Sequence, residues 1–143
     1  MEKLKFHESF AGFTSEELDE LIRSCIEKKA SKGDIVFKEG ETGDILYIVA
    51  DGNVKISKLG YLGEIVLAYA NPGEIFGEMA LVDGSIRSAT AITVVDSVLY
   101  GLTKESLETL KKESPAVAIK FLEILLKILS YRLRQTTRKI LRK

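Results

Sequence analysis

The chain has 143 residues, enough for one ordinary domain and too few for two with separate cores. Apolar residues make up 45% and charged residues 29%, and 21 Lys plus Arg balance 21 Asp plus Glu, so no net charge draws the chain to nucleic acid or to an anionic membrane. The lone cysteine, Cys25, excludes a disulfide or a Cys-x-x-Cys site within the chain and fits a reducing cytoplasm, and the lone histidine, His7, speaks against the multi-histidine metal sites of barrel-shaped enzymes.

Residues Met1 to Phe10 carry charges throughout and lack the apolar core of a signal peptide. Thr14 followed by Glu17 reads as a capping box. Leu18, Leu21, Ile22 and Cys25/Ile26 then recur at helical spacing, and Phe6, Phe10 and Phe13 are placed to anchor this helix. Residues 1–31 therefore form an N-terminal helical segment.

Residues 32–102 read as β structure. Ten of the eleven glycines lie here and punctuate short apolar runs: Asp34–Lys38, Ile45–Val49, Asn53–Lys58, Glu64–Tyr69, Ser88–Val94 and Val98–Leu102. Asp51-Gly52 and the stretch Leu59-Gly60 through Gly63 are hairpin signals. Regular short strands with turn signals predict a mainly β fold with flanking helices, a jelly-roll barrel rather than alternating β-α units.

Residues 103–143 return to helix. Thr103 caps a short helix over Lys104–Lys112, and Ser114-Pro115 starts a long one. The greasy stretch Pro115 to Tyr131 is broken by Lys120, Glu123 and Lys127, so it does not read as a membrane span. Ile119, Leu122, Leu126, Leu129, Leu133, Thr136 and Ile140 make a heptad seam, beside a second stripe of Val117, Phe121, Leu125 and Ile128. One stripe can pack on the β region while the other pairs with a second copy, which predicts a homodimer through this helix.

The segment from Asn71 to Ala91 connects two β runs, and long connections on rigid scaffolds are where binding residues concentrate. Its parts suit a small anion. Gly77 lets a ligand approach the backbone and opens a short helix-forming stretch, Glu78–Leu81. Arg87 offers a planar fork of donors matched to phosphate oxygens. Ser88 adds a hydroxyl, and Ala89 a backbone N–H. Ionised Glu78 only accepts, so it suits a sugar hydroxyl. The competing reading is that Glu78 and Arg87 simply pair with each other.

Phe76-Gly77-Glu78-Met79-Ala80-Leu81 followed by Arg87-Ser88-Ala89-Thr90-Ala91 resembles the phosphate-binding cassette of the cyclic-nucleotide-binding domain family. Lys32-Gly33-Asp34, Glu39-Gly40, Gly43-Asp44 and Gly52-Asn53-Val54 resemble that family's early strands and turns, and the last helix resembles the one through which its bacterial members dimerise. The resemblance implies a double-stranded β-helix fold and a regulatory rather than catalytic role. It implies that Arg87, Ser88 and Ala89 hold a cyclic phosphate and that Glu78 accepts from the ribose 2′-hydroxyl. Gly77 would lie against the sugar, with Met79 and Ala80 in the same cassette, and Ile56 and Leu67 would line an apolar wall. Thr136 and Thr137 resemble the hydroxyl pair that touches the base. Ser88 leans the ligand toward cyclic AMP over cyclic GMP.

Thr136 also sits on the seam where Leu or Ile would pair better. It can therefore set helix register or meet a base there, and Thr137 can reach the ligand of a facing subunit. The basic run Arg132, Arg134, Arg138, Lys139, Arg142 and Lys143 reads as a solvated helix end, and no DNA-binding domain is expected within the chain. Three rivals remain: an orphan module that keeps the cassette for another ligand or none, a purely structural dimerisation module, and a cupin-like metalloenzyme. No metal and no catalytic cofactor are expected.

Overall fold

A computed structural model of the chain describes residues 8–84 and 86–141. Phe6, His7, Arg142 and Lys143, and the side chain of Lys139, lie outside the described residues. A short 3-10 turn, Glu8–Phe10, leads into helix α1, Ser15–Arg23. The capping box forms as expected: Glu17 N donates to Thr14 Oγ1 (3.1 Å) and Thr14 N donates to Glu17 Oε1 (2.9 Å). Eight strands follow: β1 Ile26–Ala30, β2 Ile35–Phe37, β3 Ile45–Asp51, β4 Val54–Gly60, β5 Gly63–Ala70, β6 Ile75–Phe76, β7 Thr90–Thr93 and β8 Ser97–Thr103. Helix α2, Met79–Asp83, lies between β6 and β7, and helices α3, Lys104–Glu113, and α4, Pro115–Leu141, complete the chain.

The strands form two antiparallel four-stranded sheets, ordered β1-β8-β3-β6 and β2-β7-β4-β5. This is the jelly-roll arrangement with flanking helices that the glycine-punctuated runs predicted. β3 explains the layering. Leu46, Ile48 and Ala50 point to a core shared with α1, α3 and α4, whereas Tyr47 and Val49 point between the sheets with Val54, Phe76, Ala91 and Leu99. Burial on both faces is why this strand reads as an unbroken apolar run.

The two stripes of α4 separate only in part, because Leu122 of the seam also packs against the helix-side core. Val117, Phe121 and Leu125 are buried in the helix-side core. Along the other stripe, Ile119, Leu126, Leu133 and Ile140 stand one heptad apart with exposures of 56% to 67%. Lys120 ties α4 to the N-terminal region, donating to Glu17 Oε1 (2.6 Å) and Gly12 O (3.0 Å).

Three expectations need correction. The first helix does not reach Cys25 and Ile26. It ends at Arg23, and Ile26–Ala30 instead pairs with β8, Ile26 opposite Gly101 and Ala30 opposite Ser97, so the β region starts before residue 32. Local spacing favoured helix there, and the nonlocal ladder overrode it. Asp51-Gly52 does not close a hairpin, because β3 and β4 belong to different sheets. The turn is instead bonded to the one before β8, with Asn53 N donating to Ser97 Oγ (3.2 Å) and Val94 N donating to Asn53 O (3.0 Å). The third correction concerns Ile75 and Phe76, read as part of the connecting segment, which form β6 against β3. The hairpin at Leu59 to Gly63 does form, closing β4 on β5 with Gly60 opposite Gly63.

Candidate functional site

The site is built where β6 hands over to α2 and where the connection returns to β7. Phe76 is fixed opposite Tyr47 on β3, and the chain then turns at Gly77, whose φ of 76° favours glycine. α2 is closed by Gly84 in the left-handed conformation, its N–H bonded to Ala80 O. The returning segment is clamped on the 40–42 turn. Thr42 and Ile86 form an isolated bridge, Arg87 N donates to Glu41 O (2.7 Å), and Gly40 N donates to Arg87 O (2.8 Å). These backbone bonds send the Arg87 side chain inward.

Arg87 is 7% exposed. Its Nη1 donates to Gly77 O (3.0 Å) and its Nη2 to Ile45 O (2.7 Å). Its guanidinium carbon lies 4.0 Å over the Phe37 ring. Phe37 belongs to an aromatic cluster inside the barrel, 5.9 Å from Phe76 and 6.3 Å from Tyr47 between ring centroids. Arg87 Nε is buried and has no acceptor among the described residues. A guanidinium carries five N–H donors, so this one is short of acceptors. Burial lowers its pKa, opposed by Tyr47, Asp44 and Glu41.

Glu78, 3% exposed, is the second buried charge. It does not pair with Arg87, which corrects the simpler alternative. Its Oε1 accepts from Arg132 Nη1, and Arg132 Nη2 donates to Ile75 O (2.9 Å). Arg132 lies on α4 and its side chain is 49% exposed. It therefore reaches from the helix surface into the site rather than merely solvating the helix end. Burial lowers its pKa, opposed by Glu74.

Thus Gly77, Glu78 and Arg87 come together around one turn of backbone. Ala80 and Ala89 are buried beside them in sequence, whereas Met79 and Ser88 are exposed. Ile56, partly buried, packs against the core between the sheets and sits opposite Ala91. Leu67 is the extra residue of a bulge in β5, where Ile56 faces Ala68 and Ser57 faces Val66, and it is 55% exposed. Thr136 and Thr137 are exposed on α4, and Thr136 Oγ1 donates to Arg132 O (3.0 Å). Thr136 thus follows Arg132 by one turn, on the helix face that meets Glu78. None of the described contacts brings Ile56, Leu67, Thr136 or Thr137 to Arg87.

Sequence reasoning missed Arg132 and Phe37. The available signal for Arg132 was its place one turn before Thr136, but which arginine of the basic run faces the β-roll depends on the rotation of α4. Nothing in the pattern of β2 marks Phe37. A polar cleft of about 520 Å³ between α1 and α3, lined by residues including Glu20, Arg23, Glu105 and Glu113, shares no residue with this site. Among the described residues, no group of three or more His, Cys, Asp or Glu could hold a metal ion, and no helix is long and apolar enough to cross a membrane.

A double-sheet β-roll brings a buried arginine and a buried glutamate together at one glycine turn, and residues 27–114 match the family model for the cyclic nucleotide-binding domain. The chain belongs to the cyclic nucleotide-binding domain family. It is 37% identical over 110 residues to a cyclic AMP receptor protein of Thermus thermophilus, a match covering 76% of this chain and 51% of that protein. The fold is similar to the Thermus thermophilus catabolite activator protein, with TM-score 0.82, 34% identity, and coverage of 92% of this chain and 61% of that one. It is also similar to a cyclic nucleotide-binding domain from Methylobacillus flagellatus, with TM-score 0.84, 28% identity, and coverage of 98% and 79%. The match spans about half the length of such bacterial relatives and about a quarter of the cAMP-dependent protein kinase regulatory subunits it also resembles.

Proposed function

We propose that the chain is a regulatory module that binds a cyclic nucleotide, cyclic AMP in preference to cyclic GMP, and transmits binding through α4 without catalysing a reaction. The observation that carries this reading is Arg87: a buried guanidinium with an unsatisfied Nε, held by backbone carbonyls rather than by a carboxylate. Arg87, Ser88 and the Ala89 N–H hold the cyclic phosphate. Gly77 lies against the sugar, and Glu78 accepts from the 2′-hydroxyl. Met79 and Ala80 complete the cassette, and Ile56 and Leu67 form the apolar wall. The base meets α4 at Thr136, with Thr137 directed to a partner copy across the seam.

Arg132 gives the coupling a physical route. It already holds Glu78 from α4, so a ribose hydroxyl that engages Glu78 changes the contacts of that helix. The ligand shifts α4 only by its differential affinity for the two helix arrangements. The exposed heptads of Ile119, Leu126, Leu133 and Ile140 support a homodimer through α4. The names of its relatives, a cyclic AMP receptor protein and a cAMP-activated global transcriptional regulator, favour cyclic AMP.

Calorimetric titration with cyclic AMP and cyclic GMP tests the reading. Binding of cyclic AMP that Arg87→Ala weakens by about 2–5 kcal/mol is the expected outcome. An Arg87→Ala variant that binds as tightly as the unaltered chain would reject it. A second reading, a dimerisation module that takes no nucleotide, is supported by the same exposed seam and by Glu78 already having a partner. It predicts no ligand-dependent rise in thermal stability, whereas a ligand at one hundred times its Kd adds about 2.7 kcal/mol.

A further inference from the structure

The guanidinium of Arg87 is confined by two residues that lie outside the cassette. Phe37 covers it, with the arginine's Cζ 4.0 Å from the ring centroid. Gly43 lies beside the Nε–Nη2 edge and leaves it room: a Cβ built on Gly43 would stand 2.8 Å from Nη2, 2.9 Å from Nε and 3.1 Å from Cζ. Gly43 is not among the glycines with positive φ, so its backbone does not call for glycine. What the missing side chain supplies is room for the arginine. Gly77 restricts the same group from a third side, since a Cβ there would lie 2.9 Å from Nη1 and 3.1 Å from Phe37 Cε2.

We infer that Phe37 and Gly43 are positioning residues for anion recognition, setting the place and plane of Arg87 without touching the ligand. The inference rests on the cyclic-nucleotide reading of the site. A stacked guanidinium is attracted by the negative face of the ring, more strongly where water is excluded. It also loses freedom before the ligand arrives, so less ordering is left to offset binding. The two residues come from different elements, β2 and the turn before β3. The anion donor is therefore set by strand packing as well as by its own loop.

Gly43→Ala is the informative change. The atoms its methyl would meet are the guanidinium end of a long side chain rather than backbone, so the arginine shifts and its bonds to Gly77 O and Ile45 O weaken while the strands keep their pairing. The expected result is cyclic AMP affinity weakened about tenfold, with the thermal midpoint lowered by no more than about 5 °C. Phe37 is tested with phenylalanine carrying one, two or three ring fluorines at that position. Fluorination keeps the shape while draining the ring's negative face, so affinity should fall stepwise. A packing role alone would leave it flat.

The Arg87 Nε–H resonance in isotope-labelled protein gives a readout independent of ligand. Both perturbations should shift it and speed its exchange with water. Unchanged affinity in Gly43→Ala together with a flat fluorine series would overturn the inference. If the unaltered chain binds no cyclic nucleotide, the functional reading fails separately, and an Nε–H signal that neither change moves then overturns the positioning role.

Discussion

Replacing Arg132 by methionine removes the link between the far half of α4 and the β-roll. The first half of α4 is held by burial, through Val117, Phe121 and Leu125. Beyond Ile128 the tie among the described side-chain hydrogen bonds is Arg132, to Glu78 and to Ile75 O. A hydrogen bond involving a charged group contributes about 1.5–3 kcal/mol, and breaking a fully buried pair costs about 3–5 kcal/mol. Arg132 is 49% exposed, so solvent screens it and the lower part of the range applies. The expected destabilisation is about 2 kcal/mol, arising largely from the buried Glu78 carboxylate left without its partner. Denaturant unfolding of Arg132→Met, Glu78→Gln and the double variant would measure this. The double variant should be more stable than the sum of the singles implies, by about 1–2 kcal/mol. Amide exchange should accelerate beyond residue 130 and stay unchanged over residues 117–125. Additive single effects, or uniform exchange along α4, would refute the reasoning.

Leu126→Glu should separate a dimer into folded monomers, since Leu126 lies on the exposed seam and contributes little to the fold; sedimentation showing unchanged mass would count against the seam. The Glu17 carboxyl is held below its ordinary pKa, first by the hydrogen bond from Lys120 and then by the Thr14 backbone. Its stabilising contribution is present above the unfolded-state value and is lost as pH falls through the lowered one, so Glu17→Gln should flatten the acid limb of stability against pH. Burial pushes the Cys25 thiol up to about 12, and its Sγ–H donates to Leu21 O (3.3 Å). A thiol reagent at pH 8 should therefore modify native Cys25 far more slowly than the denatured chain, and equal rates would contradict the burial.

Much of this architecture was legible because its signals are local. The capping box at Thr14, the Thr103 cap, the Pro115 start and the glycine turn at Gly60–Gly63 each depend on residues a few positions apart. The two stripes of α4 were legible for the same reason, since helical periodicity assigns faces before any partner is known. β1 and β6 were not. Ile26 continues the helical spacing of the preceding segment and Ile75–Phe76 is too short to show a period, and both become strands because β8 and β3 present edges to them.

The sequence by itself placed Gly77, Glu78, Arg87 and Ser88 on one connecting segment, and residue type together with the resemblance to the family's cassette gave the expectation of an anion and its sugar there. Only the tertiary structure decided which groups the two charges meet. Glu78 meets Arg132 and Arg87 meets backbone carbonyls under Phe37, pairings that join residues far apart in the chain. The rotation of α4 and the packing of the sheets select those partners, and neither is encoded in a local pattern.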